Sequence, residues 1–68
     1  MITEIGITAG DIWHYLDQHK EATVDEMTKG IGKSRELILM SLGWLAREGH
    51  VSVMEESGHY RTWLNTAK

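Results

Sequence analysis

The chain has 68 residues, no cysteine and no proline, and its ten acidic and seven basic residues give a net charge of −3. A chain this short buries roughly 60% of the surface that its unfolded form exposes, so its own core is small. The lack of cysteine excludes disulfides and every cysteine-ligated metal site. No apolar run approaches the ~18 residues of a membrane span, and no leader-like segment is evident. These features predict one cytoplasmic domain over residues 1–68 without a membrane segment.

The first predicted element is an amphipathic helix over 3–19. Its apolar residues recur at steps of three and four, which places them on one stripe of a helix. They are Ile2, Ile5, Ala9, Ile12, Trp13 and Leu16. Thr3 is one candidate N-cap, and Thr8 with Asp11 offers a later start, so both starting points stay open.

A helix–turn–helix unit is predicted next. The segment 22–24 is partly β-branched and is expected to pair as a minimal strand, while Thr23 and Glu26 match a capping box for a short helix over 24–30. The following segment 30–32 has the sequence Gly-Ile-Gly and reads as a tight turn with Ile31 as its buried plug. A third helix over 34–48 then ends at Gly49, in the glycine position that follows a helix.

The rest of the chain predicts a β-hairpin. Residues 51–55 alternate in polarity, 56–58 form a three-residue turn and 59–64 return, with Glu55 opposite His59. In that register Val53 lies opposite Arg61. The order of elements predicts an α+β, mostly helical, winged helix–turn–helix fold with three helices and a two-stranded wing.

The third helix carries the functional argument. Its core face holds Ile38, Leu42 and Leu45, and a DNA-reading helix would carry polar side chains on the opposite face. This helix is instead apolar nearly all round, which indicates burial on more than one face. A domain this small cannot cover both faces, so we expect a homodimer with the isologous contact of a two-fold axis. The predicted interface residues are Leu37, Leu39, Met40, Gly43 and Trp44.

Two alternatives stay open. In the first, Leu37 and Trp44 are ordinary core that packs on helix one through Trp13, and only Met40 is exposed. In the second, the domain is a DNA-binding regulator and phosphates are contacted by a small set of bases, although the acidic net charge disfavours nucleic acid. Those bases are Lys29, Lys33, Arg35 and Arg61. A dimer could also serve as a scaffold for another protein.

The sequence also resembles a known family. Ile5-Gly6, Ala9-Gly10, Ile12-Trp13 with Leu16, and above all the run Gly-Trp-Leu-Ala-Arg-Glu-Gly at 43–49, look like a small bacterial winged helix–turn–helix family of unknown function. The resemblance covers essentially the whole chain. It implies a homodimer formed through the winged helix–turn–helix motif, without the usual DNA-contacting residues, and it implies no known ligand or reaction.

No catalytic or metal-binding constellation is predicted. Metal binding needs at least three converging ligands, and the spacing of the four histidines does not supply them. They are His14, His19, His50 and His59. The neighbouring carboxylates, such as Asp25 with Glu26 and Glu55 with Glu56, fit capping and surface roles better than acid–base chemistry in a pocket. We therefore expect no enzyme activity, no cofactor and no small-molecule ligand.

Overall fold

A computed structural model describes residues 1–65 and confirms the predicted winged helix–turn–helix fold. The last three residues of the predicted domain lie outside the described residues. Three helices and three strands follow one another in the predicted order. They are α1 (Ile2–His19), β1 (Glu21–Thr23), α2 (Val24–Met27), α3 (Arg35–Arg47), β2 (Val51–Glu56) and β3 (His59–Leu64).

Helix α1 begins earlier than either candidate start. Met1 occupies the N-cap position without a side-chain hydrogen bond, so both Thr3 as the cap and a start near Thr8 are wrong. The N–H of Ile5 donates to the carbonyl of Met1 at 2.9 Å, and the N-terminal ammonium lies 2.7 Å from the Glu4 carboxylate. The first contact is the opening hydrogen bond of the helix and the second is an ion pair within its first turn, so neither replaces a side-chain cap for the N–H groups of Ile2, Thr3 and Glu4.

The predicted capping box at the start of α2 is confirmed. The N–H of Glu26 donates to Oγ1 of Thr23 at 3.0 Å, and the N–H of Thr23 donates to Oε1 of Glu26 at 2.9 Å. Helix α2 stops at Met27, and a widened π-helical turn over Thr28–Gly32 replaces the predicted helix end and tight turn. Gly30 is needed within this turn, because a Cβ there would lie 2.5 Å from a ring carbon of Tyr15.

Helix α3 is capped at both ends, and the glycine predicted to follow it is confirmed. Oγ of Ser34 accepts a hydrogen bond from the N–H of Leu37 at 3.2 Å. Gly49 follows the helix with a φ of 83°, the left-handed conformation that glycine adopts at least cost. The observed bounds differ from the predicted 34–48 by one residue at each end.

The hairpin and the short strand form one three-stranded antiparallel sheet in the order β1-β3-β2. The predicted minimal strand is therefore confirmed. It covers Glu21–Thr23 and not the predicted 22–24, because Val24 already belongs to α2. Thr62 at the centre of β3 is paired with Ala22 and with Val53.

The predicted register of the hairpin is wrong by one residue. Glu56 pairs with His59, and Met54 rather than Val53 lies opposite Arg61. The turn contains only Ser57 and Gly58, whose φ values of 51° and 81° fit the type I′ turn that matches the twist of paired strands. The shift places Val53 and Thr62 on the face that packs on the helices.

Ten buried apolar side chains form the core between the helices and the sheet. Tyr15, Ile31 and Leu64 pack against its edge, which agrees with the plug role predicted for Ile31. The core residues are Ala9, Ile12, Leu16, Ala22, Val24, Met27, Ile38, Leu42, Leu45 and Val51. Helix α1 contributes to the core only from Ala9 onward, so its first two turns have less of the domain beneath them.

Candidate protein-interaction surface

Helix α3 packs on the domain through one face. Ile38, Leu42 and Leu45 are buried there as predicted, and the hydroxyl-bearing Ser41 is buried beside them. At 100° per residue these four positions span about a quarter of the helix circumference. The remaining faces of the helix must be covered by solvent or by another molecule.

None of the five predicted interface residues is fully buried. Trp44 is 50% exposed, Met40 41% and Leu39 36%, while Gly43 is exposed and Leu37 is half-buried. The ordinary-core alternative requires a buried Trp44 beside α1. Trp44 does lie beside α1, yet half of its surface remains open to solvent. Its position is therefore compatible with an interface, and the interface itself stays a prediction.

A cleft of about 350 Å³ runs between α1 and α3. Gly6 and Gly10 of α1 form part of its wall, with Trp13 on one helix and Trp44 on the other. A second cleft of about 370 Å³ continues past Trp44 to Ile2 and Ile5. Together with Met40, which precedes Trp44 by one helical turn, these residues form what we call the α1–α3 surface.

The two glycines of α1 have no packing role within the chain. A Cβ at Gly6 or Gly10 would meet no atom within 4 Å in the part of the chain that the structure describes. Glycine inside a helix costs about 1 kcal/mol relative to alanine. Neither glycine therefore allows a close approach of another element within residues 1–65, and the two leave a shallow groove on an exposed helix face.

The predicted apolar stripe of α1 is only partly a core stripe. Ile2 is 87% exposed and Trp13 is 43% exposed, so both contribute to the α1–α3 surface and not to the core. Sequence reasoning missed these two residues as surface candidates. The available signal was their spacing: Ile2, Gly6 and Gly10 are four residues apart, and Trp13 follows three residues later on the same face.

The four histidines are dispersed, although two of them share a cleft. His14 and His50 both line the cleft beside Trp13, and the rings of His50 and Trp13 meet edge to face with 5.1 Å between centroids. His19 stacks on Tyr15, and Nδ1 of His59 lies 3.9 Å from an oxygen of Asp25. Among residues 1–65, no three histidine or carboxylate side chains converge in a way that could hold a metal ion.

Carboxylates form ion pairs with two of the four bases that a DNA interface would use. Arg35 forms an ion pair with Asp25. Arg61 lies 3.6 Å from Glu21 and 3.4 Å from Glu56.

The third base, Lys33, acts on a carboxylate of α1. The N-terminal ammonium, which donates a hydrogen bond to Glu4, holds the pKa of that carboxyl below its usual range, and the positive charge of Lys33 adds a smaller effect in the same direction. The fourth base of the predicted DNA-contacting set is Lys29, an exposed residue of the π-helical turn. Arg35 and Arg61 are thus paired with carboxylates, whereas Lys29 and Lys33 form no ion pair within residues 1–65.

No helix within residues 1–65 is long and apolar enough to cross a membrane.

The fold and this surface define a winged helix–turn–helix domain whose third helix presents apolar side chains to its surroundings. Residues 1–63 match the family described as winged helix-turn-helix domain (DUF2582), and the chain belongs to that family. This finding confirms the resemblance seen in the sequence.

Two relatives support the assignment. The chain is 31% identical over 55 residues to the uncharacterized protein MJ1608 of Methanocaldococcus jannaschii, a match that covers 78% of this chain and 79% of the relative. The solution NMR structure of protein BT2368 from Bacteroides thetaiotaomicron is similar with a TM-score of 0.80 and 27% sequence identity. That likeness covers 91% of this chain and 76% of the other.

Proposed function

We propose that this domain is a non-enzymatic interaction module that forms a homodimer through the α1–α3 surface. The observation that carries the proposal is the exposure of two tryptophans, Trp13 and Trp44, on either side of a groove whose glycines have no packing role within residues 1–65. Large aromatic side chains of this kind dominate the energetics of protein interfaces.

The shape of the surface supports a second copy as the partner. Met40 and Trp44 form a ridge on α3, and Gly6 and Gly10 form a groove beside it on α1. In a two-fold dimer the ridge of each copy can lie in the groove of the other. A stable interface buries about 800 Å² per partner. That area is roughly a sixth of the 4572 Å² that the domain exposes, so one face suffices.

The same arrangement disfavours a DNA-reading role for α3. A helix that lies against a second copy cannot also enter a major groove. The ion pairs of Arg35 and Arg61 reduce the charge that these side chains offer to phosphates, and phosphate contacts supply most non-specific affinity for DNA.

Three of the four carboxylates considered for acid–base chemistry have structural partners. Glu26 completes the capping box, Asp25 pairs with Arg35, and Glu56 pairs with Arg61. These contacts are exposed and hold neighbouring elements together, and the proposal assigns no reaction to the domain.

The test is the oligomeric state of a charged variant of the ridge. Met40→Glu places a carboxylate at the centre of the proposed interface, where it would be buried without a partner. We expect the native chain to sediment as a dimer at micromolar concentration and the variant to sediment as a monomer. The helical circular dichroism should be unchanged, because Met40 is not part of the core.

The matched control is Gln18→Glu, which adds the same charge at an exposed position of α1 outside the α1–α3 surface. This variant should sediment like the native chain. A native chain that sediments as a monomer at micromolar concentration overturns the proposal, and so does a Met40→Glu variant that remains dimeric.

A further inference from the structure

Strand β2 has one edge without a partner strand among residues 1–65. In the sheet order β1-β3-β2 its neighbour is β3, and its six residues make it twice as long as the opposite edge strand β1. The free edge of a strand presents a row of unpaired N–H and C=O groups that another extended chain can use.

The register shows which backbone groups point outward. The carbonyl of His50 accepts a hydrogen bond from the N–H of Asn65 at 2.9 Å. Asn65 directly follows β3, so the backbone groups of His50 are directed toward β3. In an antiparallel pair the bonded positions alternate, which directs Ser52, Met54 and Glu56 toward β3 as well. The N–H and C=O groups of Val51, Val53 and Glu55 are therefore directed to the free edge.

This edge has few of the features that usually prevent strand addition. Natural edge strands are protected by charged side chains, above all lysine, by proline, by a bulge or by short length. β2 has neither lysine nor proline and pairs with β3 in unbroken register, and its charged residues are Glu55 and Glu56 at its distal end. Val53 and Met54 are each 41% exposed on opposite faces of the sheet. An added strand would thus find apolar side chains on both of its sides.

The charge of the edge indicates the chemistry of the added strand. Glu55 and Glu56 lie together at the distal end of β2, where Glu56 contacts Arg61, and both side chains are exposed. Opposite charges on adjacent strands stabilise their pairing, and like charges oppose it. A cationic strand is favoured over a second copy of this chain, whose net charge is −3.

We propose that the free edge of β2 binds an extended peptide segment of another protein by strand addition, and that the segment alternates apolar residues with lysine or arginine. The apolar side chains contact Val53 and Met54, and a cationic side chain lies beside Glu55. This site uses no residue of the α1–α3 surface, so it goes beyond the proposed dimer and does not depend on it.

The experiment uses the ¹⁵N-labelled chain and a synthetic peptide of alternating valine and lysine with blocked ends. Titration should shift the amide signals of Val53 and Glu55 and slow their hydrogen exchange, while signals of the α1–α3 surface stay in place. The same peptide with N-methyl groups on the residues that face β2 should lose at least about tenfold in affinity, because it cannot donate to the edge. Equal binding of both peptides overturns the proposal.

The variant Val53→Pro removes one outward N–H, and proline is tolerated where an edge N–H faces solvent. It should reduce the affinity about tenfold, whereas the control Val53→Thr retains the N–H and should bind like the native chain. Glu55→Lys should also weaken binding relative to the native chain, because the new lysine repels the lysines of the peptide.

Sedimentation separates this site from the dimer. Val53→Pro should have the same mass as the native chain, and a change in mass would show that the edge pairs with a second copy, which overturns the peptide proposal. If Val53→Pro does not fold, the N-methyl peptide with the native chain decides. If the amide signals of Val53 and Glu55 do not shift at millimolar peptide, the peptide proposal is overturned. This outcome does not depend on whether the chain is a monomer or a dimer.

Discussion

Three hydroxyl groups in the core differ in their surroundings. Thr8 of α1, Ser41 of α3 and Thr62 of β3 are all fully buried. Oγ1 of Thr62 donates to the carbonyl of Ala22 at 3.1 Å. The hydroxyls of Thr8 and Ser41 have no partner within residues 1–65. A buried hydroxyl without a partner costs about 1–3 kcal/mol, so the interface of α1 with α3 is less stable than its apolar contacts alone would make it.

We expect opposite effects from the same substitution at the two threonines. Thr8→Val replaces the unpaired hydroxyl by a methyl group of similar size and should raise the free energy of unfolding by about 1 kcal/mol. Thr62→Val removes the hydrogen bond that the Thr62 hydroxyl donates to the carbonyl of Ala22, so it should lower that energy by about 1 kcal/mol. Urea unfolding measures both, and a loss of stability in both variants would contradict the distinction.

Individual burial was only partly predictable from the sequence. The helical repeat placed Ile38, Leu42 and Leu45 in the core correctly, because they lie at the centre of a contact face. It failed for Ile2 and Trp13, which share the apolar stripe of α1 but extend past the elements that could cover them. Periodicity reports the face of a residue and gives no information on where the neighbouring elements end.

The connection from α1 to β1 consists of Lys20 alone. Its φ of 74° and ψ of −52° lie in the strained γ-turn region, and its N–H donates to the carbonyl of Leu16 at 2.8 Å. This conformation reverses the chain within one residue, which lets Glu21 enter the sheet directly after the helix. A side chain in left-handed backbone costs roughly 1–2 kcal/mol.

Lys20→Gly should therefore stabilise the domain. Relief of the strain exceeds the entropy that glycine adds to the unfolded chain, and we expect a net gain of about 0.5–1 kcal/mol in thermal or urea unfolding. Lys20→Ala is the control, because it removes the same charge and keeps the strained conformation. It should not be more stable than the native chain, and equal gains in both variants would show that charge and not strain is responsible.

The types and order of the elements followed from capping and periodicity, whereas the hairpin register did not. The turn uses Ser57 at positive φ, a position where asparagine, aspartate or glycine is the usual signal. Without that signal, the run Glu-Ser-Gly was interpreted as a three-residue turn. One extra residue in the turn shifts the pairing by one position, which exchanges the two faces of a strand. The π-helical turn was also missed. It is associated with the contact of Gly30 with Tyr15, and these two residues belong to different elements, so local sequence patterns do not predict the contact.

At the scale of the molecule, charge and apolar surface are arranged in a way that composition could only suggest. The net charge disfavoured nucleic acid, and the structure adds that Arg35 and Arg61 are held by carboxylates from α2, β1 and β2. These ion pairs join α2 to α3 and link β3 to both of its neighbouring strands. The surface that sequence reasoning assigned to α3 extends onto α1, because only the packed structure brings Gly6 and Gly10 beside Trp44.

The charge arrangement gives a prediction for DNA. We expect the native chain to show no saturable binding to duplex DNA in fluorescence anisotropy, even at low salt. The double variant Asp25→Asn, Glu56→Gln frees Arg35 from its ion pair and leaves Arg61 with Glu21 alone. It should gain weak affinity that is independent of base sequence. The logarithm of the affinity falls with the logarithm of the salt concentration by about 0.9 for each phosphate contacted, so two freed arginines imply a slope no steeper than about −2.

Arg35→Gln and Arg61→Gln added to the double variant should abolish this affinity. Native binding with a slope near −4 would contradict the prediction, because all four bases would then contact phosphates, including Arg35 and Arg61 despite their ion pairs.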